Sequence, residues 1–320
     1  EPQNIAYSLD IMAEKQPQTK AILAPLGAKG YQHLTYQELS EESFTIAKGL
    51  LEIGIRPGMK MVLMVKPSLD FFSLMFALFK AGVIPILIDP GLGIKNLKLC
   101  LAEAEPDGFI GIFQAHLARS ILGWGRHTIR YCIGVGKHPW GMTLETIRQW
   151  GQNSAISVPK VQRHDPAAIL FTSGGTGVPK GVVYEHRHFL AQVEMLRKLY
   201  QFEPGEIDLP TFPHFALFDP ALGMTTVLHQ MDFRRPGSVD PLAIIRPIQD
   251  LGVTNLFGSP ALLNRVGRYG VEHELKLPTL RRVISAGAPV SPVVLKRFTQ
   301  MLASPCTDTR PCTPIFTPYG

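Results

Sequence analysis

Residues 171–181 read FTSGGTGVPKG and combine four glycines, three hydroxyl side chains and one lysine. Glycines let backbone N–H groups converge on an oxyanion without interference from Cβ atoms. The hydroxyls add donors, and Lys180 adds a positive charge that can reach a phosphate. A glycine-rich turn with a solvated lysine is the simpler alternative, but the hydroxyls and the Pro-Lys-Gly ending favour phosphate binding. The candidate phosphate contacts are Thr172, Ser173, Gly174, Gly175, Thr176, Gly177 and Lys180.

The two common nucleotide-binding loops do not match this stretch. A Walker loop requires Ser or Thr directly after its Gly-Lys pair, whereas Pro179 precedes Lys180 and Gly181 follows it. A dinucleotide-binding loop leads into a helix, whereas residues 181–184 have the apolar, β-branched composition of a strand. The loop is therefore a different kind of phosphate site.

The rest of the chain alternates between strand and helix patterns. Thr35 and Glu38 have capping-box spacing and predict a helix to about residue 53. Repeated alternation predicts an α/β protein with parallel sheets covered by helices. The polar residues 152–165 predict a boundary. Further strands are predicted at 61–65, 83–88, 109–113, 131–135, 167–171, 253–257, 280–285 and 315–317, and helices at 68–81, 96–104, 189–200, 242–251, 261–269 and 292–302.

Composition excludes several classes of protein. The net charge is +6 and the basic residues are scattered, so no nucleic-acid partner is predicted. The four cysteines, Cys100, Cys132, Cys306 and Cys312, have neither metal-ligand nor disulfide-framework spacing. They predict free thiols in a reducing compartment, and no secretory signal is recognised, so we expect a cytoplasmic protein. Residues 69–88 are apolar, but Lys80, Gly82 and Pro85 argue against a transmembrane segment. Ser68 is a predicted N-cap and Gly82 a predicted C-cap, which indicates a helix followed by a buried strand.

Residues 172–181 resemble the signature loop of the adenylate-forming superfamily, which includes acyl-CoA synthetases, peptide-synthetase adenylation domains and luciferases. Gly175 departs from the pattern, because a hydroxyl residue is usual there. The missing hydroxyl removes one possible hydrogen bond to phosphate, worth about 1 kcal/mol. Other segments resemble the family in the same order: 34–39 (LTYQEL), 79–90 (FKAGVIPILIDP), 285–289 (SAGAP) and 317–320 (TPYG).

The resemblance implies an architecture and a nucleotide site. Two stacked α/β subdomains are expected, one from residues 46–200 with the phosphate loop and one from residues 1–45 and 201–320. Gly287, Ala288 and Pro289 would border the adenine of ATP, and Tyr319 would stack on it. The family's magnesium-binding glutamate and its C-terminal domain with a catalytic lysine have no counterpart in residues 1–320. The resemblance therefore implies that these residues alone do not form acyl-AMP at a useful rate.

Three further segments, 208–225, 234–241 and 254–270, resemble the β-lactone synthetases of long-chain olefin biosynthesis. Residues 208–225 occupy the place of the family's acyl pocket, and we take His214 as a candidate catalytic residue with Lys180 and Thr172. His214 and Asp219 are polar where this subgroup is expected to be apolar. The aromatic residues Phe212, Phe215, Phe218 and Phe257 are either acyl-slot or core residues.

The implied reaction is attack of a long-chain carboxylate on the α-phosphate of ATP, with Mg²⁺, to give acyl-AMP and pyrophosphate. A β-hydroxyl on the same acid would then close a lactone. Coenzyme A as acceptor, in a long-chain fatty-acid–CoA ligase, is the alternative, because a histidine in this segment is common among acyl-CoA synthetases. A binding protein without turnover is a second alternative. A hydrolase is disfavoured, since no GxSxG elbow is present. No metal ligand is assigned, and the sequence does not specify an oligomeric state.

Overall fold

The structure is a computed structural model that describes residues 3–27, 30–88, 90–138, 141–172, 179–212, 214–232, 235–302 and 314–318. Its helices are α1 (Ile5–Lys15), α2 (Tyr36–Glu52), α3 (Leu69–Ala81), α4 (Ile94–Ala104), α5 (Phe113–Leu122), α6 (Leu144–Gln152), α7 (His186–Tyr200), α8 (Asp219–Leu222), α9 (Leu242–Leu251), α10 (Pro260–Glu272) and α11 (Pro292–Thr299). Its strands are β1 (Lys20–Pro25), β2 (Tyr31–Thr35), β3 (Lys60–Met64), β4 (Ile84–Leu87), β5 (Gly108–Ile112), β6 (Tyr131–Val135), β7 (Met142–Thr143), β8 (Pro166–Thr172), β9 (Lys180–Glu185), β10 (Ile207–Pro210), β11 (Thr225–Val227), β12 (Asn255–Phe257), β13 (Arg282–Ile284) and β14 (Ile315–Phe316).

The chain forms two compact units, each built on one seven-stranded sheet. The first unit has strand order β7-β6-β5-β3-β4-β8-β9, and its described pairs are parallel except β8–β9. The second has order β14-β13-β12-β10-β11-β1-β2, with parallel pairing from β14 to β1. The predicted α/β class with mainly parallel sheets is confirmed.

The predicted assignment of the N-terminal residues is wrong in part. Only residues 19–34 join residues 200–320 in the second unit, whereas residues 1–18 and 35–199 form the first. The reason is packing: α1 and α2 lie against the buried helix α3. Asp10 of α1 forms an ion pair with the buried Lys80 of α3, and Ser40 of α2 donates to Asp10 at 2.6 Å. Strands β1 and β2 alone cross into the second sheet.

Local signals at helix ends are confirmed by hydrogen bonds. Thr35 Oγ1 accepts from the backbone N–H of Glu38 at 3.2 Å, while Glu38 Oε2 accepts from the N–H of Thr35 at 2.8 Å. Ser68 caps α3, and Gly82 ends it with a φ of 66°. Every residue from Phe71 to Ala81 is buried, which explains why α3 is apolar on all sides. Among the described helices, none has the length and hydropathy needed to cross a membrane.

Several elements have no clear signal in the sequence. Strands β10 and β11 contain only four and three residues, too few for a periodic pattern. The predicted extended run 109–113 ends one residue earlier, because Phe113 begins α5. The sequence analysis also did not predict helices α1, α5, α6 and α8 or strands β1, β2 and β7. Cys100 and Cys132 are free thiols, and Cys306 and Cys312 lie outside the described residues.

Two glycines allow α2 and α6 to approach closely. A Cβ atom on Gly49 would lie 2.0 Å from the carbonyl oxygen of Ile147, and one on Gly151 would lie 1.9 Å from that of Thr45. Each helix thus presents a glycine to the backbone of the other. Arg148 of α6 forms an ion pair with Glu42 of α2 at 2.5 Å across the same junction, and a second one with Asp70 of α3 at 2.5 Å.

We expect Gly151→Ala to lower the free energy of unfolding by about 1–3 kcal/mol, the usual cost of overpacking. Alanine favours an isolated helix over glycine by about 1 kcal/mol, so a loss would report the tertiary clash rather than helix propensity. The matched control is Gly237→Ala, whose new Cβ would meet Ala261 at an ordinary 3.6 Å. Urea denaturation of both variants checks this; equal stability of the two would contradict a backbone clash at Gly151.

Candidate functional site

The predicted phosphate loop connects the two strands of an antiparallel hairpin. In the β8–β9 pairing Thr172 lies opposite Lys180, and Phe171 lies opposite Gly181. Thr172 and Lys180 therefore stand together at the base of the loop, and the side chain of Lys180 is exposed. Ser173, Gly174, Gly175, Thr176 and Gly177 lie outside the described residues, so their phosphate contacts stay predictions.

A residue that the sequence did not indicate supports the base of this hairpin. Glu103, in the last turn of α4, accepts a hydrogen bond from the backbone N–H of Gly181 at 3.3 Å. A Cβ on Gly181 would lie 3.1 Å from the ring of Phe171, so glycine suits the tight approach of the two strands. These contacts position the start of β9, which carries Lys180.

The carboxyl ends of four neighbouring strands form the candidate site of the second unit. Backbone hydrogen bonds continue past the strand ends: Thr211 N–H donates to Phe257 O at 3.0 Å, and Gly258 N–H donates to Ile284 O at 2.9 Å. Ser285 N–H likewise donates to the carbonyl of Phe316 at 2.8 Å. The segments that follow β10, β12, β13 and β14 therefore lie side by side. This edge is where open parallel sheets usually bind ligands.

The residues predicted to border adenine lie at this edge. Gly287, Ala288 and Pro289 follow β13 and are exposed. Gly287 has a φ of 91°, which favours glycine at the turn. Tyr319 lies outside the described residues, so its stacking on adenine remains a prediction.

An aromatic group follows β10 at the same edge. Phe215 lies 4.4 Å from Phe257 and 5.5 Å from Phe212 between ring centroids, and His214 lies 4.8 Å from Phe212. The side chains of Phe212 and Phe215 are 45% and 40% exposed. Phe218 and Phe257 are half-buried. Exposure at this edge favours the acyl-slot interpretation of Phe212 and Phe215 over a core role. The structure places His214 in this group, and its catalytic role stays a prediction.

A buried polar row lies on one face of the second sheet. Arg282, Asn255, Asp208 and Thr226 are paired in turn across β13, β12, β10 and β11. Alternate residues of these strands, including Leu209, Leu256 and Val283, pack into the hydrophobic core with α9, α10 and α11. The polar row therefore lies on the opposite face, and only Asp219, which contacts it, was singled out from the sequence.

Glu206 is the centre of one half of this row. It is 3% exposed and accepts from Arg282 at 2.7 and 2.8 Å, from Asn255 at 2.9 Å and from Arg281 at 3.2 Å. Burial raises the pKa of Glu206, but hydrogen bonds from Arg282 and Asn255 outweigh burial and hold the pKa below its usual value. Glu206 is thus an ionised carboxylate with a complete set of donors.

The other half of the row contains two buried carboxyl groups. Burial raises the pKa of Asp208 to about 8. Burial, with repulsion from Asp208, raises the pKa of Asp219 well above its usual range. Thr226 donates its hydroxyl to Asp219 Oδ2 at 2.6 Å. Ionising both of two neighbouring buried carboxyls has a high free-energy cost, so the pair retains a proton near neutral pH.

Comparisons with known proteins agree with this architecture. The family model described as AMP-binding enzyme matches residues 9–315. The chain is 46% identical over 324 residues to an olefin beta-lactone synthetase of Xanthomonas campestris, covering 99% of this chain and 56% of that protein. A protein of the same name from Stenotrophomonas maltophilia is 45% identical over 329 residues, covering 100% of this chain and 57% of its own length. The chain thus spans somewhat more than half the length of these relatives.

Solved structures share the fold at low sequence identity. A long-chain-fatty-acid-CoA ligase from Archaeoglobus fulgidus has a TM-score of 0.81 at 18% identity, covering 94% of this chain and 61% of that one. The N-terminal domain of FACL13 from Mycobacterium tuberculosis has a TM-score of 0.78 at 20% identity, covering 93% of this chain and 73% of that one. With the family model matching nearly the whole chain, the protein belongs to the AMP-binding enzyme family.

Proposed function

We propose that the natural protein containing this chain is an ATP-dependent synthetase that activates a long-chain carboxylic acid as acyl-AMP. We further propose that the acid carries a β-hydroxyl and that the product is a β-lactone. The observation that carries the proposal is the 46% identity to an olefin beta-lactone synthetase across 99% of this chain. The exposed Lys180 at the base of the glycine loop and the aromatic group beside β10 supply matching chemistry.

In the first step a carboxylate oxygen attacks the α-phosphorus of ATP, and the bond to the β-phosphate breaks. Lys180, with the donors of the loop that starts at Thr172, would neutralise the departing pyrophosphate. Such preorganised charge is typically the largest contribution to catalysis of this kind. Phe212 and Phe215 would hold the acyl chain near the sheet edge.

In the second step the β-hydroxyl oxygen of the acyl group attacks the acyl carbon, and the bond to AMP breaks. The hydroxyl proton must leave, and His214 is the candidate acceptor because an imidazole titrates near neutral pH. The nucleophile and the acyl carbon belong to one molecule, so the effective concentration of the acceptor is high. No second substrate site is needed for this step.

Mg²⁺ is expected to accompany ATP. Among the described residues, no group of three or more His, Cys, Asp or Glu side chains is placed to hold a metal ion. We therefore assign no metal ligand to these residues, and neither step above is routed through the ion.

The product of the reaction tests the proposal. Given ATP and a long-chain 3-hydroxy acid without any thiol, we expect the natural protein to release AMP, pyrophosphate and a β-lactone, identified by mass spectrometry. A plain fatty acid of equal length is the matched control, and it should stop at bound acyl-AMP because it lacks the hydroxyl. Acyl-CoA as the main product when coenzyme A is added, with no lactone, would instead identify a long-chain fatty-acid–CoA ligase, the alternative that His214 favours. Absence of AMP with either acid would indicate a binding protein.

A further inference from the structure

The two ends of the aromatic segment, residues 211–218, meet at one buried point. Asp208 on β10 lies three residues before the segment, and Asp219 at the start of α8 follows it directly. Asp208 pairs with Thr226 across β10 and β11. Thr226 donates to Asp219 Oδ2 at 2.6 Å. Thr226 is therefore the neighbour, in the adjacent strand, of the carboxyl residue before the segment and is hydrogen-bonded to the carboxyl group after it.

The surroundings of the two carboxyls do not offer a cation. Glu206 directly precedes β10, two residues before Asp208, and its charge raises the pKa of Asp208 further. Arg282 and Arg281 are engaged by Glu206, and the neighbours of Asp208 on β12 and β11 are the uncharged Asn255 and Thr226. Within the described residues, no positive group is seen to act on either Asp208 or Asp219.

We propose that Asp208 and Asp219 are positioning residues of the acyl site. This buried carboxyl pair holds both ends of the segment that carries Phe212, His214 and Phe215 in place. The inference rests on the proposed function only in its reference to an acyl site. The fastening itself follows from burial, from the hydrogen bond of Thr226 and from the position of the two carboxyls. Full ionisation places two unneutralised charges inside the protein, so it should loosen the segment.

The direction of the pH effect follows from the raised pKa of Asp208. A free aspartate has a pKa of about 3.8, and the buried one has a pKa of about 8. Between these values the native state holds a proton that the unfolded state has lost. Stability therefore falls as pH rises through this window, by up to about tenfold in the folding constant per pH unit for one proton, and levels off above it.

The first measurement is hydrogen exchange of the amides of residues 214–218 between pH 6 and 9, by mass spectrometry and without substrate. After correction for base catalysis, we expect exchange in the wild type to accelerate from pH 6 to about pH 8 and to rise less steeply above the pKa of Asp208. Asp208→Asn and Asp219→Asn should each make this acceleration less steep, since each replaces one of the two carboxyls of raised pKa with an amide that does not titrate. Asp250→Asn, on the exposed face of α9, is the matched control and should retain it. Retention of the full steepness of the acceleration in both Asp208→Asn and Asp219→Asn would overturn the proposal.

Thr226→Val distinguishes an effect of carboxyl titration from simple misfolding of the aspartate variants. The hydroxyl of Thr226 lowers the pKa of Asp219, so its removal should extend the pH-dependent acceleration of exchange to higher pH. A merely structural defect would raise exchange by the same factor at every pH without extending the acceleration to higher pH, and that result would also overturn the proposal.

The second measurement is the pH dependence of KM for the long-chain acid in the natural protein. KM for the acid should rise by up to about tenfold from pH 7 to 9 in the wild type and by much less in Asp219→Asn, whereas KM for ATP should not follow this pattern. If exchange responds as expected but KM for the acid does not, the tie to acyl binding is overturned. If the protein forms no acyl-AMP at all, the proposed function fails while the exchange result still decides the role of the pair.

Discussion

Arg282→Ala should lower the free energy of unfolding by about 3–5 kcal/mol, the loss typical when one member of a buried ion pair is removed. Arg282 is 13% exposed and donates to both carboxylate oxygens of Glu206, to Asn255 at 3.1 Å and to the carbonyl of Gln201 at 2.6 Å. Its guanidinium also lies 5.3 Å from the ring centre of Phe202. The variant would leave Glu206 buried with an incomplete set of donors.

Arg281→Ala is the matched control for this prediction. Arg281 is the adjacent residue and bonds the same carboxylate at 3.2 Å, but its side chain is 59% exposed. Solvent screens such a contact, so we expect a loss below about 1 kcal/mol. Urea denaturation at neutral pH measures both values. Similar losses for Arg281→Ala and Arg282→Ala would show that burial of the Arg282–Glu206 pair does not set its contribution.

Lys180→Ala should slow adenylate formation by about 30- to 1,000-fold, or roughly 2–4 kcal/mol of lost charge stabilisation. The expectation rests on the proposed function. Lys180 is held at the base of the loop by its pairing with Thr172, and its exposed side chain is available to a ligand. ATP–pyrophosphate exchange catalysed by the natural protein gives the rate.

Lys98→Ala provides the comparison for Lys180→Ala. Lys98 is an exposed lysine on α4, the helix that contributes Glu103 to the hairpin. The change removes the same charge from the same unit without altering the loop, so exchange should stay within about twofold of the wild type because exposed charges are strongly screened. Unchanged turnover of Lys180→Ala would remove this lysine from the phosphate site, and equal losses in both variants would indicate a general charge effect.

Helix ends and buried helices follow closely from local sequence. The capping box of Thr35 and Glu38 and the caps Ser68 and Gly82 of α3 were predicted correctly. These features depend on residues a few positions apart, so a local pattern contains the whole interaction. The phosphate-binding role of the glycine loop stays a prediction from composition, because residues 173–178 lie outside the described residues.

Local sequence patterns could not show to which of the two units the N-terminal residues belong. Helices α1 and α2 have ordinary amphipathic patterns, and nothing local says which sheet they cover. Their place next to α3 depends on contacts such as the ion pair of Asp10 with Lys80, 70 residues apart in the chain. Strand β1 joins the second sheet through pairing with β11, which is about 200 residues away.

The sequence by itself determined the class of fold and the ends of the long helices, because each depends on neighbours in the chain. Only the tertiary structure decided which polar residues are buried together. Glu206, Asn255 and Arg282 are 27 to 76 residues apart, and each resembles a surface residue in its own segment. Parallel strands brought to adjacent positions in one sheet align them on one face. Burial then turns ordinary polar side chains into the network that supports the candidate site.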